Sequence, residues 1–204
     1  MLSIFQRSDK IKFRKRKQYG QRRNLLWVQL LSGDAKIEDA ARILEIYAYY
    51  VEYTVISFEW DVPSLEEFEN RMRDIMKKYP YLVIEQDGKI EGYAYAHAFV
   101  GRAAYDWSSE LTIYLDHNAR KRRPWPETVW RAGGPPDGHS EPLRLLGYPQ
   151  VEDEYLTKNS AEFHAHLGFE LVGTFHNCGY KFDRWYDMSG WKKSSASRTR
   201  DSRQ

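Results

Sequence analysis

A glutamate that opens a strand beside aromatic residues can do proton chemistry. Glu110 stands so, just after Tyr105-Asp106-Trp107 and at the head of the apolar run Leu111–Leu115. An aromatic wall can raise a carboxyl pKa toward the range where such a group works as a general base. The plain alternative is a solvated charge at a strand edge. His164 lies four residues before Gly168. An imidazole there can donate or relay a proton near neutrality, or can simply be a surface histidine on a helix. His166, two residues on, points to another helix face and is assigned no role. Arg102 precedes Glu110 in a loop and can hold a carboxylate through paired hydrogen bonds, unless it is only a loop charge. Asn159 heads the segment that carries His164 and suits an N-cap. No metal site is expected.

A chain of 204 residues fits one domain with a tail or two. That length supports a core without disulfides or metal. The single cysteine, Cys178, rules out an internal disulfide framework, and a reducing, cytoplasmic setting is the expectation. No apolar run of about 18 residues occurs, so no membrane partner is expected. The opening MLSIFQRSDK lacks the apolar stretch of a secretory signal. Net charge is +2, but it is unevenly spread. Nine lysines and arginines in the first 23 residues face one acid, Asp9. Residues 1–26 therefore read as a basic, disordered arm, and 189–204 as a basic, Ser-rich tail. The arm has no aromatic platform or recognition helix beside it, so nucleic acid is not an expected partner.

The domain that must position these groups spans 27–188. Ile37, Ala40, Ala41, Leu44, Tyr47 and Val51 recur at helical spacing. Ser64 and Glu67 make a capping box ahead of a second helix, which Pro80 stops. Tyr81–Glu85, then Asp87-Gly88, then Lys89–Phe99 read as a β-hairpin, with Gly92 suited to a bulge. Glu110–Leu115 is a further strand. Asn159–Leu167 reads as a helix closed by Gly168, followed by strands at 169–175 and 179–187. This order predicts a mixed α/β (α+β) domain, a largely antiparallel sheet flanked by helices.

These segments resemble the GNAT N-acetyltransferases, in particular their phosphinothricin acetyltransferase-like branch. The likeness rests on EDAARILEIYAYYVEYTVISFEWDVPSLEEFENRM, YPYLVIEQDGKIEGYAYAHAFVGRAAYDWSSELTIYLDHNARKR and KNSAEFHAHLGFELVGTFHNCGYKFDRWYDM. It implies acetyl transfer from acetyl-CoA to a primary amine of a small amino acid or analogue. On this resemblance Glu110 is the general base and His164 the group that protonates the departing thiolate or relays the amine proton. Ile113, Tyr114 and Leu115 match the strand whose backbone pairs with pantetheine, and Asn159 lies near the same arm. Phe58, Arg102 and Tyr105 match the acceptor pocket, although Val100-Gly101 supplies no second basic residue. The implied partners are a small-molecule amine and, left open, a second copy of the chain.

The likeness breaks after Asn118-Ala119-Arg120. Arg120, Lys121 and Arg122 match the basic start of the segment that holds the cofactor's pyrophosphate. Arg123-Pro124-Trp125-Pro126 replaces its glycine-spaced loop. Two prolines there remove N–H donors where a phosphate needs them. Five of the eight prolines fall within 123–146, so that segment is expected to be irregular, with the cofactor-loop helix and one strand missing. Correct length with foreign composition suggests a shifted reading frame; a divergent insertion is the alternative. Two functional readings follow: an active N-acetyltransferase, or an impaired remnant that only binds. Affinity for acetyl-CoA separates them.

Overall fold

In a computed structural model of the protein, residues 31–105, 108–119 and 141–193 are described. The basic arm, residues 120–140 and the end of the tail lie outside them. Seven strands form one sheet: β1 Leu31–Asp34, β2 Tyr81–Gln86, β3 Lys89–Ala98, β4 Ser108–Leu115, β5 Glu141–Tyr148, β6 Glu170–Lys181 and β7 Arg184–Lys192. Their order is β1-β2-β3-β4-β5-β7-β6. Neighbours are antiparallel except β4 and β5, which are parallel. The helices are α1 Ala40–Tyr53, α2 Leu65–Met76 and α3 Asn159–His166.

Local chemistry explains the first half. The buried stripe of α1 is Ala40, Ile43, Ile46, Tyr47 and Val51. It is turned slightly from the expected one, leaving Ala41 exposed and Leu44 half-buried. The Ser64 hydroxyl accepts the Glu67 amide at 3.2 Å and starts α2, whose Phe68 and Met72 are buried. Asp87 and Gly88 both take positive φ, at 53° and 77°, as the two-residue turn between β2 and β3 requires. The register slips opposite Gly92, between Ile84 and Glu85. A Cβ at Gly92 would stand 2.9 Å from the Tyr114 carbonyl oxygen of the paired strand β4, a backbone atom that cannot swing aside, so this position favours glycine. Helices α1 and α2 cover one group of core residues with β2 and β3, while α3 covers a second with β4 and β5.

The second half corrects three expectations. Residues 141–146 are not irregular, and the strand expected to be missing is present as β5. Pro142 sits at its second residue, and the half-buried Leu143 and Leu145 alternate with the buried Arg144 and Leu146. β7 also runs past residue 188 to Lys192, taking in the start of the expected tail. Third, β6 does not break at His176–Cys178. It bulges there, with Asn177 at φ 49°, and turns at Phe182-Asp183. The buried Asp187 holds the bulge, accepting from Asn177 N–H at 2.9 Å and His176 Nδ1 at 2.8 Å.

Candidate active site

The parallel register of β4 and β5 runs over three residue pairs, Ser108 opposite Glu141 to Glu110 opposite Leu143. The next β4 carbonyl, that of Leu111, accepts a hydrogen bond from the Arg144 guanidinium. A cavity of about 450 Å³ lies here, bounded also by α1, by the loop Ile56–Glu59 and by α3. Glu110, Thr112 and Tyr114 face it from β4, Phe58 and Glu59 from the loop, and Ser160 from α3.

Glu110 is half-buried, and its carboxylate lies 3.9 Å from His97 Nε2 on the paired position of β3. His97 Nδ1 is 3.1 Å from the Ala98 carbonyl, a contact that needs a proton on Nδ1. In neutral His97 this leaves a lone pair on Nε2, turned toward Glu110. His97 was legible only as a strand residue sharing a face with Tyr93 and Tyr95. Those tyrosines form the aromatic wall behind Glu110, with Tyr93 and Tyr95 stacked and Tyr114 packed on Tyr93 and Tyr47.

The loop that carries Phe58 is fixed from two sides. Lys181 is buried, and its ammonium donates to the carbonyls of Val51, Thr54 and Ser57 at 2.6, 3.0 and 2.8 Å. It thus caps the C-terminal end of α1 and the start of the loop. Burial holds its pKa below the usual lysine value against the opposing charge of Glu59. Phe58 rests on Gly179 of β6 so closely that a Cβ there would come within 2.1 Å of its ring. Glu59 is committed to Arg71, at 2.7 Å.

His164 is 2% exposed, enclosed by Phe163 and Phe169. Burial, reinforced by the charge of Arg144 and opposed by the Ser160 carbonyl, pushes its pKa down to about 3. Nδ1 lies 2.7 Å from that carbonyl and so carries the proton, while Nε2 is buried without a partner among the described residues. A neutral imidazole of this tautomer offers an acceptor at Nε2 and no proton to give.

The other expected residues are spread out. Tyr114 reaches the cavity, Ile113 is buried in the core beneath α3, and the Leu115 carbonyl accepts from Tyr50 at 2.5 Å. Asn159 is exposed and is the first residue of α3; the N-cap position is Lys158, with no side-chain cap bond. That corrects the capping role expected of Asn159. The Lys158 amide is satisfied instead by Glu152, at 2.6 Å. Arg102 and Tyr105 stand on the exposed loop before β4 and do not wall the cavity. Arg120, Lys121 and Arg122 lie outside the described residues. Arg144 was missed, because an arginine in a proline-rich segment gives no sign of being a core residue.

A family model described as an acetyltransferase (GNAT) domain matches residues 34–123 and 151–189. The chain belongs to the GNAT acetyltransferase family. It is 32% identical over 157 residues to a phosphinothricin N-acetyltransferase of Alcaligenes faecalis, covering 74% of this chain and 75% of that one. A phosphinothricin N-acetyltransferase of Streptomyces viridochromogenes is 27% identical over 162 residues, covering 78% of this chain and 84% of that one. Among solved structures, a GNAT phosphinothricin acetyltransferase of Sinorhizobium meliloti in complex with acetyl-CoA superposes with a TM-score of 0.70 at 29% identity, covering 80% of this chain and 87% of that chain. This GNAT acetyltransferase departs from the family model between residues 124 and 150, and the whole of β5 lies in that interval. Its sheet keeps the slot beside β4, but the sequence that fills it falls outside the match. No described helix is long and apolar enough to cross a membrane, and the described residues hold no cluster suited to a metal ion.

Proposed function

We propose that the chain transfers an acetyl group from acetyl-CoA to the primary amine of a small amino acid or amino-acid analogue. The observation that supports this most is Glu110. It is a half-buried carboxylate, turned to the cavity where β4 and β5 part, and among the described residues it has no lysine or arginine in ion-pair contact, only His97 at 3.9 Å. An ammonium is not a nucleophile, so an amine must lose a proton before it can attack. Glu110 takes that proton, and His97, whose side chain is 34% exposed, offers it a way to solvent. Tyr47 and Tyr114 exclude water from this wall.

Acetyl-CoA supplies the activated acyl group. The fit of the chain to it is favourable at β4, where the edge past Glu110 has no β5 ladder partner and can take an extended, amide-bearing arm as an added strand takes its neighbour. His164, neutral and without a proton on Nε2, acts here as an acceptor that orients a donor group and not as the acid.

A second reading, a fold retained without turnover, is favoured by one observation: the family match stops between 124 and 150. Calorimetry of the full chain with acetyl-CoA, followed by thiol release with a panel of small amines, decides between them. Binding in the micromolar range with amine-dependent thiol release is the expected result. Absence of both would leave the second reading.

A further inference from the structure

Among the described residues, the enclosed groups include one charge that its described surroundings do not balance. Arg144 is 5% exposed, yet it is a guanidinium, which keeps its charge at any working pH. One of its amino groups donates to the Leu111 carbonyl, and its Nε–H is buried with no acceptor. Among the described residues no carboxylate forms an ion pair with it; the carboxylate whose charge reaches it is Glu110, from beyond ion-pair distance. A buried cation with one carbonyl partner has lost its hydration without replacing it, and an anion brought beside it restores the balance.

Arg144 is also part of the cavity wall, on the strand that faces Glu110. The cavity has two carboxylates. Glu59 is held by Arg71 at 2.7 Å, whereas among the described residues Glu110 has only His97, at 3.9 Å. Among the described residues the cavity thus has one unmatched cation and one unmatched anion, on the neighbouring strands that form the opening. A ligand that satisfies both carries an ammonium and a single negative charge. A doubly charged anion such as a phosphate monoester would meet one cation and two carboxylates, and fits less well. At about 450 Å³ the space admits a small molecule of this kind.

We infer that Arg144 is a specificity-determining residue of the acetyl transfer proposed above, on which this inference rests: it binds the carboxylate of a zwitterionic amino-acid acceptor whose amine lies at Glu110. The exposed loop residue Arg102, outside the cavity, then has no part in holding that carboxylate. The placement also gives β5 a role in recognition that no part of the family match supplies.

The test uses the full chain, wild type and Arg144→Leu, with Arg144→Lys as a second variant that keeps the charge. Replacing an unbalanced buried charge by a similar apolar volume leaves a fold intact or strengthens it, so thermal melting of Arg144→Leu checks for folding. Two probes differ only in a carboxylate, norvaline and n-butylamine. Calorimetry on the wild type is expected to give norvaline the tighter binding by about 10- to 100-fold, the range of a hydrogen bond to a charged group. In Arg144→Leu that preference falls to within about threefold, and Arg144→Lys restores part of it. Wild type that does not discriminate the probes, or a folded Arg144→Leu that keeps the preference, overturns the assignment. Loss of the preference in Arg102→Ala alone does so as well. Thiol release from acetyl-CoA is followed separately with norvaline and with n-butylamine, and turnover means release with either. Turnover without discrimination refutes the role of Arg144 and leaves acetyl transfer standing; discrimination without turnover does the reverse.

Discussion

His164 makes the acid limb of stability a direct test of the buried site. Its folded pKa is about 3, lowered first by burial and then by the charge of Arg144. In the unfolded chain it returns to about 6.5. Between these values the unfolded state binds a proton that the folded state refuses, so stability falls as pH falls through that window. Above about pH 6.5 neither state is protonated and the penalty is absent. At pH 5 the folded imidazole is still neutral while the unfolded one is almost fully charged, so the penalty there depends on the unfolded pKa alone. It is about 2 kcal/mol relative to pH 8. His164→Leu removes the titrating group and keeps most of the volume between Phe163 and Phe169. Urea denaturation of wild type and variant at pH 8 and pH 5 gives four free energies. Whatever the substitution costs by itself is common to both pH values and cancels in the double difference. The expected double difference is about 2 kcal/mol, the wild type losing more on acidification. A value below about 0.5 kcal/mol would mean that His164 can be protonated in the folded state, and the tautomer argument against its acting as an acid would fall with it.

Glu110→Gln is expected to lower acetyl transfer by roughly 10²–10⁴-fold near neutral pH, with the loss easing at high pH where free amine is abundant; steady-state thiol release across pH reads both. Gly179→Ala sets a Cβ at 2.1 Å from the Phe58 ring, so Phe58 or β6 must move. A loss of about 1–3 kcal/mol in denaturant stability is expected, together with weaker binding of acceptor amines in the calorimeter. Asp116 has its pKa lowered to about 2: burial opposes this, but the Asn118 amide, the Arg42 guanidinium and Lys89 outweigh it. Its stabilisation is present above the ordinary carboxylate value and lost as pH falls through about 2. Asp116→Asn should therefore cost roughly 2 kcal/mol at pH 7 and almost nothing near pH 2, measured by denaturation at both.

Features written in adjacent residues were legible in the sequence, and those decided across the sheet were not. Ser64 with Glu67, and Asp87 with Gly88, specify their own backbone, so α2 and the β2–β3 hairpin could be read directly. The β6 bulge reads as a break between two strands because Asn177 and Gly179 are turn-favouring residues. What keeps the strand going is Asp187, ten residues on, which takes the Asn177 amide that a turn would have satisfied. β5 is a stronger case. Its eight residues contain a proline and an arginine and follow a run of prolines and glycines, so no local pattern marks them as a central strand. The slot between β4 and β7 decides the matter, since leaving it empty would expose two strand edges. The site divides the same way. Glu110 and Phe58 could be placed because they lie in segments that carry the family likeness, and both reach the cavity. Arg102 and Tyr105 lie in such a segment too, yet their loop holds them at the surface. Arg144 lies in none, and its importance comes from burial, which a linear pattern cannot express for a charged residue. A cation at a core position in the strand that closes the cavity changes which ligands the cavity can hold, whatever the matching segments encode. On the inference drawn above, sequence likeness to an acyltransferase bears on the chemistry proposed at Glu110, while the acceptor's carboxylate is read by a strand that lies outside the likeness.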